Sequence, residues 1–147
     1  MRKIAIKYGL YMLAGFIVFF LLMHLIGLSD ETWLRVFNGV IHLSLIYAAI
    51  KAYRTQYPDG VNNYISGVAT GMFTSVFGVI GFSIFMLLFF IYNPTFFEQV
   101  QDNIPIDQYL TPLTATFFIL VEGVAISLIG SYILTRVIDM RLEKAQA

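Results

Sequence analysis

The sequence predicts an all-α integral membrane protein: one four-helix bundle spanning residues 1–147, with both termini in the cytoplasm. Three observations predict it. Of 147 residues, 59% are hydrophobic and 12% charged, where a soluble domain carries about 25% charged residues. Four apolar runs reach the length of about 20 residues that a helix needs to cross the hydrocarbon. The lysines and arginines collect on one side of a chain that crosses four times. A soluble chain of this size buries only about 70% of its surface on folding, too little to hide this much apolar side chain, 14 phenylalanines included. That argues against a soluble enzyme or a nucleic-acid-binding domain. Nine basic and nine acidic residues cancel, so no net charge seeks a polyanion. There is no cysteine, which removes disulfides, thiolate metal sites and thiol nucleophiles.

The first span is residues 8–28, interrupted by His24. Its apolar run is too long for a cleaved signal peptide and no small-x-small site follows it, so it is expected to stay as a membrane helix. The second is residues 34–53. Ser29 is placed to cap it, Asp30 and Glu31 suit the positive end of the helix dipole, and Trp33 sits where an interfacial aromatic belongs. The turn Tyr57-Pro58-Asp59-Gly60 leads to the third span, residues 64–92. Its 29 residues make about 43 Å of helix, more than a hydrocarbon core of about 30 Å, so it must tilt, kink or project. Asn93-Pro94 opens a short helix over residues 94–103, with Phe96, Phe97 and Val100 on one face. That helix either lies in the outer interface or covers the bundle mouth. Thr111-Pro112 reads as an N-cap followed by proline at N1 and opens the fourth span, residues 113–134.

Orientation follows from the basic residues. Arg2, Lys3 and Lys7, then Lys51 and Arg54, then Arg136, Arg141 and Lys144 share one side, and only Arg35 falls elsewhere. The positive-inside rule places that side in the cytoplasm, here of a bacterial inner membrane. Asp30, Glu31, Glu98, Asp102 and Asp107 lie on the other side.

Each later span carries a stripe. At about 100° per residue, Arg35, Asn38, Gly39, His42, Ala49 and Tyr53 share an arc of the second. Gly67, Gly71, Thr74, Ser75, Gly78 and Gly81 share one on the third, and Thr116, Gly123, Ser127 and Gly130 one on the fourth. Small residues let helix backbones approach, so Gly67, Gly71, Gly78, Gly123 and Gly130 are the candidate packing residues, within the bundle or between copies.

No phosphate-cradling glycine loop, H-E-x-x-H or G-x-S-x-G occurs. The sequence therefore assigns no catalytic residue, no metal and no cofactor, and no nucleic-acid partner. Glu122 still needs an account, because an acid at mid-span costs about 3 kcal/mol on insertion scales. It lies about 14 Å below the outer end of its helix and His42 about 12 Å below the end of its own. The two are expected to share a layer, with Asn38 and Arg35 lining a polar route above them. The group is either a buried pair that fixes helix register or a site that handles a proton or ligand. His24 reads as interfacial.

The basic start into Lys7-Tyr8-Gly9-Leu10, the segment Ile50-Lys51-Ala52-Tyr53-Arg54, the turn at Gly60 and then Gly71 resemble a family of small bacterial membrane proteins, domain-of-unknown-function family 4199. Asn93-Pro94-Thr95-Phe96-Phe97-Glu98 is similar to its outer-loop segment, with Thr95 where the family has an acid. Thr111-Pro112 through Gly123, Ser127-Leu128-Ile129 and Arg136 resemble its last helix. The resemblance implies four helices and an inner membrane, and brings no activity.

Two functions compete. One is a non-enzymatic accessory or structural subunit, working through helix contacts with itself or with a larger membrane partner. The other is a small transporter, or a helper for polyprenyl-linked lipids, using Glu122. In the helper, Lys51 and Arg54 would meet lipid phosphate; topology alone also accounts for both.

Overall fold

The first helix ends at a glycine. Gly27 has φ +72°, a left-handed conformation that costs a residue without Cβ little. Around it Leu28 N–H bonds Met23 O at 2.9 Å and Gly27 N–H bonds His24 O at 3.2 Å, the paired bonds of a Schellman stop. The computed structural model describes residues 1–28, 35–57, 63–102 and 110–146, without the side chains of 35, 145 and 146. Its helices are α1 (Arg2–Leu25), α2 (Arg35–Gln56), α3 (Tyr64–Tyr92), α4 (Pro94–Asp102) and α5 (Pro112–Gln146). All except α4 are long and apolar enough to cross a membrane. The chain is all-α, and its long helices form a bundle.

Caps set the other ends. Asn63 Oδ1 accepts from Ser66 N–H and opens α3. At α5, Thr111 Oγ1 accepts from Thr114 N–H while Thr114 Oγ1 accepts from Thr111 N–H, a reciprocal capping box. Asn93 serves two helices: its carbonyl accepts from Phe97 N–H at 3.1 Å and opens α4 at Pro94, as the sequence reading has it. Its side-chain amide reaches back to Phe89 O at 3.1 Å and so closes α3 as well. Ser29, Asp30, Glu31, Trp33, Asp107 and the turn at Pro58-Asp59-Gly60 lie outside the described residues.

Two helices exceed by more than a turn the spans read from hydropathy. α1 begins at Arg2 and α5 runs to Gln146, twelve residues past position 134. Hydropathy marks only the apolar part of a helix, and Arg2, Arg136, Asp139 and Arg141 are good enough helix residues to carry it on.

Contacts give the directions. Gly9 meets Phe77, Gly78 meets Met12 and Gly81 meets Leu13, with Phe16 on Phe82 and Phe20 on Phe89 further along, so α1 and α3 are parallel. Gly67 faces Thr135, Gly71 faces Ser131 and Gly123 faces Val79, so α3 and α5 are antiparallel. The helices alternate up and down, which puts both termini at one end. α3 is the hub, packed on α1, α2 and α5. Of its apolar window 44% is buried, against 17% for α5, the least covered of the four. α1 and α5 flank the α2–α3 pair.

Small residues make this closeness possible, because in lipid packing itself drives helix association. A Cβ on Gly9 would stand 2.7 Å from the backbone oxygen of Thr74, and one on Gly78 would meet the Met12 side chain at 2.5 Å. Gly130 is filled by Leu43 of α2. Gly39 has nothing within 4 Å of such an atom. At the end away from the termini, α4 buries Phe96 and Phe97 against Phe89 and Phe90, and Gln101 bonds Leu110 O at 2.7 Å. It closes over the bundle end.

Candidate functional site

The polar groups of the core form two layers. The one nearer the termini is built on Arg54 of α2 and Asp139 of α5, both buried. Arg54 Nε donates to Asp139 Oδ1 at 2.9 Å and Nη2 to Oδ2 at 2.9 Å, a planar two-bond pair that suits guanidinium and carboxylate geometry. Nη1 donates to Ser66 Oγ at 3.1 Å and Nη2 to Asn63 O at 3.3 Å. Gly67 makes room, since a Cβ there would stand 2.9 Å from Nη2. One guanidinium thus ties the end of α2, the start of α3 and the inner stretch of α5.

The second layer sits about 18 Å away, twelve residues along both α2 and α5. His42 Nε2 lies 3.0 Å from Ser75 Oγ and 3.2 Å from Ser127 Oγ, with the Phe16 ring edge-on at 5.6 Å. Ser75 donates its proton to Gly71 O and Ser127 donates to Gly123 O. With both hydroxyl protons committed to their own helices, the donor is His42 Nε2–H, shared between two serine oxygens. This assigns the tautomer from the hydrogen-bond network.

Between the layers the core is filled. Ile46 and Ile50 have 0% exposure, and Met12 packs on Gly78 just beyond the His42 layer. Thr70, Thr74 and Thr135 are buried between the layers, and each donates to the carbonyl four residues back. Their protons belong to their own helices and do not form a relay. Ser131 and Ser83 keep buried hydroxyl oxygens with no hydrogen-bond partner, as does the amide oxygen of half-buried Asn38.

These positions correct the sequence reading in three places. Glu122 is not the partner of His42, which is held by the serines, and it stands on the exposed side of α5. Equal counts from the helix ends did not mean equal depth: His42 is level with Ser127, five residues further along α5. Arg54 is not a surface charge free to meet lipid phosphate, because it is 2% exposed and paired. Asn38 is on α2 near the His42 layer but outside it, and the side chain of Arg35 lies outside the described residues. Asp139 was missed because the apolar run ends at 134. A signal was present: Ser127, Ser131, Thr135 and Asp139 recur every four residues and continue the fourth-span stripe.

His24 packs at the end covered by α4, its ring against Phe20, Phe89 and Phe96. It borders an open recess of about 350 Å³ with Tyr92, Asn93 and Gln99. Among the described residues, no three His, Asp or Glu side chains gather as metal ligands.

Neither a curated protein nor a solved structure matches the chain. A family described as "Protein of unknown function (DUF4199)" matches it over residues 7–107. The match takes in Arg54 and His42 but stops before α5, which carries Asp139 and Ser127. It covers well over half of the chain, and the chain belongs to that family.

Proposed function

We propose that the protein is a non-enzymatic accessory or structural subunit of a bacterial inner membrane, working through contacts between its helices and other membrane helices. The observation that carries this reading is the filled core. Ile46 and Ile50 close the space between the two polar layers, and the hydroxyls there are bonded back to their own helices. Small hydroxyl side chains satisfied this way present no unpaired donor of their own and let neighbouring helices pack closely. The outward side of α5, with Phe118, Leu128 and Tyr132 exposed, is an uncovered apolar surface on the least buried of the four long helices.

The cysteine-free sequence makes the test clean. Single cysteines at Phe118, Leu128 and Tyr132, cross-linked in native membranes, are expected to give discrete adducts, whereas one at Ile84 on α3 gives none. In proteoliposomes carrying a pH dye, proton flux is expected to match that of empty vesicles. Absence of adducts at all three positions, or a flux abolished by Glu122→Gln, would overturn the proposal. The second reading, a small transporter, is favoured by the buried, unpartnered amide oxygen of Asn38 beside the His42 layer, and that flux is its signature.

In this reading both termini are cytoplasmic, on the strength of the basic residues gathered at their end. A reporter fused to the C-terminus is expected to be active only as a cytoplasmic protein. A periplasmic signal would defeat the orientation.

A further inference from the structure

The ion pair in the core takes one cation and one acid off the surface around it. Asp139 is spent on Arg54, and both are buried. What remains exposed at the terminal end is Arg2, Lys3 and Lys7 on α1, Lys51 on α2, and Arg136, Arg141 and Lys144 on α5. Against these cations, Glu143 is the exposed acid among the described residues at that end. At the far end the pattern reverses, with Glu98 and Asp102 exposed on α4. With Arg54 and Asp139 cancelling in the core, seven exposed cations against Glu143 make the described residues of the terminal end strongly positive.

Tyrosines stand among these cations. Lys7 Nζ lies 5.8 Å from the ring centre of Tyr8 and 5.9 Å from that of Tyr11. Across the bundle, the Tyr64 and Tyr132 rings meet edge-on at 5.3 Å, and the Tyr64 hydroxyl donates to Tyr132 O. Arg136 follows Tyr132 by one helical turn on the same face. Tyrosine rings prefer the headgroup level of a bilayer, apolar body inward and hydroxyl outward. Tyr64 and Tyr132 lie near the level of Arg136, whereas Lys7 with Tyr8 and Tyr11 stands further along the bundle, beside Thr74, a depth from which a lysine stem snorkels to the headgroups.

We propose that this end binds anionic phospholipid headgroups in preference to zwitterionic ones, through two corners: Lys7 with Tyr8 and Tyr11 on α1, and Arg136 with Tyr64 and Tyr132 on α3 and α5. The distribution of charge selects the partner. α1 and α5 flank the α2–α3 pair on opposite sides, so a soluble anion or an acidic peptide in one cleft would reach only one corner. A lipid leaflet surrounds the bundle and reaches both. Juxtamembrane clusters of four to eight lysines and arginines attract anionic lipid with about 1 kcal/mol per cation. The inference does not depend on the helix-contact function proposed above.

The test uses the full-length protein in phosphatidylcholine vesicles containing phosphatidylglycerol, with spin-labelled probes of each lipid reporting association. The wild-type protein is expected to prefer phosphatidylglycerol. Lys7→Gln and Arg136→Gln should each reduce that preference up to about fivefold, and both residues are exposed, so the fold is retained. Salt at 1 M, where the Debye length is about 3 Å, should remove most of it. Glu98→Gln with Asp102→Asn at the opposite end should leave it unchanged. Equal association of the two lipids with wild type would overturn the proposal, as would a preference that survives both cation substitutions and salt.

Discussion

Arg54→Ala is expected to destabilise the bundle by about 3–5 kcal/mol, the cost of leaving one partner of a buried ion pair without the other. Asp139→Ala should cost a similar amount, because it strands a guanidinium held by two bonds of 2.9 Å. The arginine change also removes the bonds to Ser66 and Asn63, so it should be the worse of the two. Unfolding in mixed micelles, followed by helical circular dichroism, reads both. The diagnostic variant is the double one. Arg54→Met with Asp139→Leu removes both charges and keeps the volume, and apolar replacements of buried pairs are often neutral or stabilising. It should recover most of the loss. Single variants within about 1 kcal/mol of wild type would place the pair among solvated surface bridges and contradict its burial.

Gly71→Leu is expected to have the next largest effect. A Cβ at Gly71 already falls on the Ser131 hydroxyl, 2.9 Å from Ser131 Cβ and 3.0 Å from Ile46 Cγ2. Even Gly71→Ala therefore forces α3 away from α5 and should cost about 1–3 kcal/mol, the usual range for overpacking; leucine should cost more. Ser131→Gly removes the group in the way and should return part of the loss in the Gly71→Ala background. Gly39→Ala is the contrast. Open space surrounds that position, and the gain in helix propensity is up to about 1 kcal/mol. The same unfolding experiment orders the four variants. Equal behaviour at positions 71 and 39 would refute the close crossing.

The fold was legible because its signals are long and redundant. Four apolar runs and the clustering of basic residues need no fine geometry, and Thr111-Pro112 marks a helix start by local chemistry alone. The stripe of Gly67, Gly71, Thr74, Ser75 and Gly78 is also visible as a period, although the period does not name the neighbour. The candidate site was less legible. Its reading began from Glu122, the most costly residue by insertion energy, and sought a partner by counting from helix ends. Those counts fail when one helix starts higher than another, as α5 does relative to α2. Arg54 and Asp139 looked like ordinary tail charges because hydropathy treats every charge beyond an apolar run as wet. Spacing held the correction: Arg54 follows His42, and Asp139 follows Ser127, by the same twelve residues.

That equal spacing has a mechanical consequence. α2 and α5 run parallel and are joined at two rungs about 18 Å apart, with α3 bonded to both through Ser66 and Ser75. Two fixed points on a pair of rods remove sliding and leave little rotation, so these three helices behave as a trellis. α1 stands apart from it. Its buried stretch, Ala5, Gly9, Met12 and Phe16, meets its neighbours through close apolar packing. Lipid chains can fill in for part of that packing but cannot replace a guanidinium–carboxylate pair. α1 is therefore expected to separate first, leaving a three-helix unit with both polar layers still bonded.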